Sequence, residues 1–213
     1  DSDESRGLGD VYKRQVLEGV KSLRPDLEIL LEGRDGSNIP EMLDEQVAAV
    51  LINHVDYRSG IIRDMENLTR QVQEFGGLAV WDLSHSAGIF PVQLNRCRVD
   101  FAVGCTYKYL NGGPGAPAYL YAASRHHAAC NQPLSGWFGH ARPFDFERDF
   151  VPDSGIRRFV CGTQPILSLR ALQSGLEIYQ DVSLQQVREK SMALTDLFII
   201  CLLYTSDAAD DPA

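Results

Sequence analysis

The chain has 213 residues, 44% of them hydrophobic and 23% charged, which is ordinary globular composition for one sizeable domain or part of a larger one. Its formal charge of -9 argues against a nucleic-acid surface, which needs clustered Lys and Arg, and no apolar run reaches the length of a membrane helix. No basic, apolar and small-residue leader is seen, and Cys97, Cys105, Cys130, Cys161 and Cys201, with no CxxC pair and no metal-ligand spacing, are expected as buried thiols of a reducing cytoplasm.

The two ends read differently from the rest. Ser5 to Gln15 and Cys201 to Asp210 both resemble translated sequencing-library adapter, since one inverted DNA repeat read in two frames encodes Asp10 to Gln15 and the stretch that begins at Cys201. Residues 1–15 and 201–213 are therefore expected to be adapter-like artefact, to be left out of fold reasoning. Their seven acidic and three basic residues account for part of the acidity, and without them the charge is -5.

Between them, Leu27 to Leu31 is a short apolar run with strand character. Pro40 opens a helix to about Gln46, with acidic residues in its first turn. Val47 to Val55 is a continuous apolar run, suited to a strand buried on both faces. A turn at Tyr57 to Gly60 follows. Helical spacing then runs from Ile62 to Phe75 through Met65, Leu68 and Val72, and Gly76-Gly77 ends it. Leu78 to Leu83, Val99 to Thr106 and Ala118 to Ala122 read as strands. Pro165 to Tyr179 and Ser183 to Ile200 carry helical patterns. The alternation predicts an α/β fold with a mostly parallel sheet covered by helices.

Ligands in such sheets bind beyond the carboxyl ends of the strands, where Asp82, His85 and Lys108 fall. Lys108 follows an apolar strand and precedes the loop Gly112-Gly113-Pro114-Gly115, whose glycines allow close backbone approach. A lysine at one strand end and an acid at another are what pyridoxal 5'-phosphate (PLP) chemistry needs. The amine holds the aldehyde as a Schiff base, and the acid keeps the ring nitrogen protonated. Taken singly, each feature has a plainer reading: Asp82 as a helix N-cap, His85 as a structural histidine, Trp137 as packing, the glycine run as a turn. His54, His126 and His127 read as surface or core histidines with no partner spaced for a metal, and no metal is expected.

Four segments in order carry a resemblance: Trp81 to Gly88, Cys105 to Gly115, Gly136 to His140, and Cys161 to Pro165. They are similar to those of the kynureninase family, its bacterial members most nearly. The resemblance implies the fold type I large domain of the aspartate aminotransferase group, in its class V branch. It makes residues 16–200 a partial PLP-binding large domain whose last helices lead to a missing small domain. It implies a cytoplasmic homodimer that hydrolyses L-kynurenine, with 3-hydroxykynurenine as a second candidate substrate, to anthranilate and L-alanine in tryptophan catabolism and NAD biosynthesis. Residue by residue, Lys108 matches the cofactor-holding lysine, Asp82 the partner of the ring nitrogen and His85 a histidine beside the cofactor. Tyr107 matches a tyrosine that bonds the cofactor phosphate and protonates the product carbanion. Trp137 and Thr163 match phosphate-contacting positions that a dimer partner can supply. Asn53 stands where many relatives carry threonine and is left out of the expected site.

Two other readings compete. A class V enzyme of the cysteine desulfurase type usually carries histidine before the lysine, whereas this chain has Tyr107. A non-enzymatic fragment is the other, since the resemblance places the phosphate-binding loop before Val16 and the small domain after Ile200; on that expectation the chain alone is inactive and binds PLP weakly.

Overall fold

A computed structural model describes residues 8–32 and 39–209. Residues 1–7 and 210–213 of the adapter-like stretches lie outside the described residues.

Helix α1 (Leu8–Leu23) comes first. Strand β1 (Ala49–Asn53), helix α2 (Met65–Glu74) and strand β2 (Leu78–Asp82) then form one crossover unit. Asp64 sets the start of α2, because its carboxylate accepts the Asn67 N–H at 3.0 Å and caps the helix. Gly76, at φ +83°, ends it. Strands β3 (Phe101–Cys105) and β4 (Ala118–Ala122) complete a sheet of order β1-β2-β3-β4. The first two pairings are parallel and the last is antiparallel. The chain therefore reverses between β3 and β4, and that reversal is the loop that contains Lys108. Short helix α3 (Ser124–His127) follows, then α4 (Ile166–Leu176), prolonged by a 3-10 turn at Glu177–Tyr179, and α5 (Leu184–Ala209).

The core lies between α2 and one face of the sheet. Met65 and Val72 pack with Ile52, Ala79, Trp81, Val99 and Ala102. Trp81 and Thr69 are both fully buried, and the indole N–H donates to the Thr69 hydroxyl at 2.9 Å. Beneath the sheet, the buried Asp100 carboxylate accepts from Ala79 N–H (2.9 Å), Arg125 (2.6 Å) and Gln73 (3.0 Å), and meets His126 Nε2 at 2.7 Å. It ties β2, β3, α2 and α3 together at the edge opposite Lys108.

Several expectations need correction. Leu27 to Leu31 is not a strand, because it pairs with no other strand among the described residues. The helix expected from Pro40 is a single 3-10 turn, Pro40–Met42; the Asp44 carboxylate takes the Gln46 N–H at 2.8 Å and turns the chain instead. Nor is the sheet buried on both faces. Leu51, Leu78, Val103 and Leu120 share the face away from Trp81 and are each more than a third exposed. The β2–β3 connection contains no helix to cover them. The cysteines are not buried: Cys161 and Cys201 are exposed and the other three half-buried, all as free thiols. Among the described residues no helix is long and apolar enough to cross a membrane, and no cluster could hold a metal ion.

Candidate active site

Asp82 is the last residue of β2, and the turn after it carries His85. Lys108 lies in the loop after β3, the neighbouring parallel strand. The two strand ends are joined by the Leu83 N–H, which donates to Val103 O at 2.8 Å. This topology brings Lys108 Nζ to 2.9 Å from His85 Nε2.

Burial, and then the charge of Lys108, hold His85 below the usual imidazole range. A neutral ring nitrogen accepts an N–H from the lysine ammonium, which agrees with the short contact. Tyr57 and Tyr109 flank the imidazole, with ring centres at 6.0 Å and 6.5 Å. The Lys108 ammonium also stands 5.5 Å from the centre of the Tyr107 ring. Tyr107 itself is half exposed.

Asp82 is largely buried. Burial alone raises its pKa, but the Lys13 ammonium at 2.5 Å and the Ser84 N–H at 2.8 Å outweigh burial and hold the carboxyl below the usual range. Beside it, Tyr119 is pushed up to about 12, by burial first and then by the negative charge of Asp82. Its hydroxyl is buried without a hydrogen-bond partner.

The structure thus brings Lys108, His85, Asp82 and Tyr107 to one edge of the sheet. Trp137 and Thr163 make other contacts. Trp137 packs edge-on with Phe138 and Phe144, at 4.9 Å and 5.9 Å. Thr163 is exposed. Among the described residues no hydrogen bond, ion pair or ring contact ties either of them to Lys108, Asp82 or His85. A groove of about 740 Å³ along α5, lined by Val182, Val187, Leu194 and Phe198, contains none of the expected site residues.

Sequence reasoning missed Lys13, Tyr57, Tyr109 and Ser84. Lys13 belongs to the stretch read as adapter-like, and nothing local to it points to Asp82. Ser84, two residues after a strand-end aspartate, is the recognisable partner in an Asx-type turn.

The donor set fits a pyridine aldehyde. It offers a half-buried amine beside a neutral imidazole, and a carboxylate held anionic at the adjacent strand end. A mostly parallel sheet with these groups at its carboxyl edge defines an α/β domain with a ligand site beyond its strand ends. The chain belongs to the class-V aminotransferase family, whose match spans residues 29–206. It is 46% identical over 198 residues to the kynureninase of Burkholderia mallei strain SAVP1, covering 93% of this chain and 47% of that protein. It is 48% identical over 161 residues to the kynureninase of Pseudomonas fluorescens, covering 76% of this chain and 39% of that protein. The chain thus spans about half the length of the curated relatives it matches. Among solved structures, the Escherichia coli cysteine desulfurase CsdA superposes with a TM-score of 0.64 at 21% identity, over 82% of this chain and 41% of that chain. The likeness to CsdA is one of fold.

Proposed function

We propose that this chain is part of a PLP-dependent kynureninase, which cleaves the β,γ carbon–carbon bond of L-kynurenine to give anthranilate and L-alanine. The observation that carries the reading is the Lys108–His85 contact beside Asp82, in a chain 46% identical to kynureninases. PLP, when bound, supplies the electron sink for bonds at the substrate α-carbon. Lys108 is the amine that holds the cofactor aldehyde and then moves a proton at the substrate α-carbon. His85, held neutral, accepts a hydrogen bond from Lys108 and keeps it aimed at the strand edge. Asp82, held anionic in a mostly buried position, keeps a proton on the ring nitrogen. Tyr107 is positioned next to Lys108 to deliver a proton to the β-carbon of the product. Tyr107 before the lysine, in place of histidine, favours this reading over a cysteine desulfurase.

Trp137, itself exposed and packed against the exposed Phe144, and Thr163 are read as contacts to the cofactor phosphate in the other subunit of a cytoplasmic homodimer.

A segment exchange tests the activity. Residues 29–200 replace the matching stretch of the Pseudomonas fluorescens kynureninase, and anthranilate release from L-kynurenine is followed by fluorescence. The chimera is expected to release anthranilate, and Lys108→Ala within it to abolish release. A folded, PLP-loaded chimera that leaves L-kynurenine intact overturns the reading.

A further inference from the structure

Helix α4 and the turn that prolongs it place Leu172, Gly175 and Tyr179 on one face, at helical spacings of three and four residues. All three meet the loop directly after Lys108. A Cβ on Gly112 would lie 3.2 Å from Leu172 Cδ1, and a Cβ on Gly175 would lie 2.6 Å from Asn111 O. Tyr179 then closes the contact. Its hydroxyl accepts from Asn111 Nδ2 at 3.3 Å and donates to the carbonyl of Tyr109, the residue after Lys108.

The same hydroxyl lies 3.1 Å from Gly88 O, in the turn that carries His85. These two loops come as close as backbone allows. Gly88 sits at φ +92°, and a Cβ there would be 2.4 Å from Tyr109 O. On the lysine side, Asn111 is in the left-handed region at φ +61°. Its N–H donates to Lys108 O at 3.1 Å, and the Gly112 N–H donates to Thr106 O at 2.9 Å. Lys108 is thus held in a tight turn whose far side meets the His85 loop at the Tyr179 hydroxyl, whose one proton is shared between the Tyr109 and Gly88 carbonyls.

Resting on the reading of Lys108 as the cofactor-holding amine, we infer that Tyr179 is a positioning residue whose hydroxyl fixes the Lys108 loop against the His85 loop and so sets the Lys108–His85 contact. Tyr179→Phe keeps the ring and removes only that oxygen.

Two measurements on the full chain, neither of which uses the cofactor, test this. The first is peptide-resolved hydrogen exchange over residues 107–113. The second is the pH profile of reductive methylation at Lys108, with Lys21 and Lys190 as internal references. In Tyr179→Phe, exchange in that peptide is expected to be about three- to tenfold faster, the factor set by one net hydrogen bond. The methylation midpoint of Lys108 is expected to shift while those of Lys21 and Lys190 hold. Ile178→Ala, the exposed neighbouring side chain, is expected to change neither. A Tyr179→Phe chain with wild-type circular dichroism and both readouts unchanged overturns the inference, and so does an equal change in Ile178→Ala. Failure of the segment-exchange chimera to take up PLP counts against the cofactor reading instead, since both readouts here are cofactor-free.

Discussion

The ammonium of Lys13 stands 2.5 Å from Asp82 Oδ2, so the carboxylate proposed to hold the cofactor ring nitrogen already has a cation beside it. Lys13 comes from α1 and Asp82 from the end of β2. A ring bound as proposed would compete with the Lys13 ammonium for that carboxylate.

Lys13→Ala is therefore expected to tighten PLP binding by about tenfold, the equivalent of ~1.4 kcal/mol of ion pair no longer displaced. An absorbance titration of both chains at one ionic strength measures it. Equal affinities, or weaker binding by the variant, would show that Lys13 does not stand in the way. The same substitution removes a partner that holds the Asp82 pKa down. A carboxyl depressed in the folded state stabilises above its unfolded value and loses that contribution as pH falls through the folded value. The acid limb of a stability profile should thus be shallower in Lys13→Ala.

His54 gives a second pH dependence. It is buried, edge-on to Trp81 and Phe90, and burial lowers it to about 4. Between its ordinary 6.5 and 4 the unfolded chain binds the proton and the folded chain does not, so stability falls as pH drops through that window. The loss should be on the order of 2–3 kcal/mol by pH 4. Denaturant melts from pH 7 to pH 4 are expected to show this slope, and His54→Phe to flatten it. An unchanged slope in the variant assigns the dependence to another group.

Thr69→Val keeps the shape of the α2–sheet core but leaves the Trp81 indole N–H buried without its acceptor. The cost should be about 1–3 kcal/mol, read as a shifted urea midpoint at constant slope. A change smaller than the error of the melt would mean that the indole finds another partner.

Much of this arrangement is legible in the residues. The strand ends at Asp82 and near Lys108, the turn at Gly76-Gly77 and the reversal before Ala118 are set by local chemistry: apolar runs closed by an acid, a glycine or a proline. What depends on distant partners is not legible. Leu27 to Leu31 has strand composition, but a strand needs a neighbour with free ladder groups. The open face at Leu51 and Val103 follows from a β2–β3 connection that forms no helix, which the strand sequences themselves do not show. Lys13 reaches Asp82 through the placement of α1, a tertiary fact with no local signature. Tyr179 left one trace, the glycine four residues before it, since a glycine inside a helix marks close approach of another backbone.

The most direct test of the central claim is where PLP attaches. The chain is mixed with excess PLP, reduced with borohydride, digested, and its peptides are weighed. The account predicts a reduced PLP adduct on the peptide that contains Lys108, and its loss in Lys108→Ala. Adducts spread evenly over Lys13, Lys21 and Lys190, with none favoured at Lys108, would contradict it.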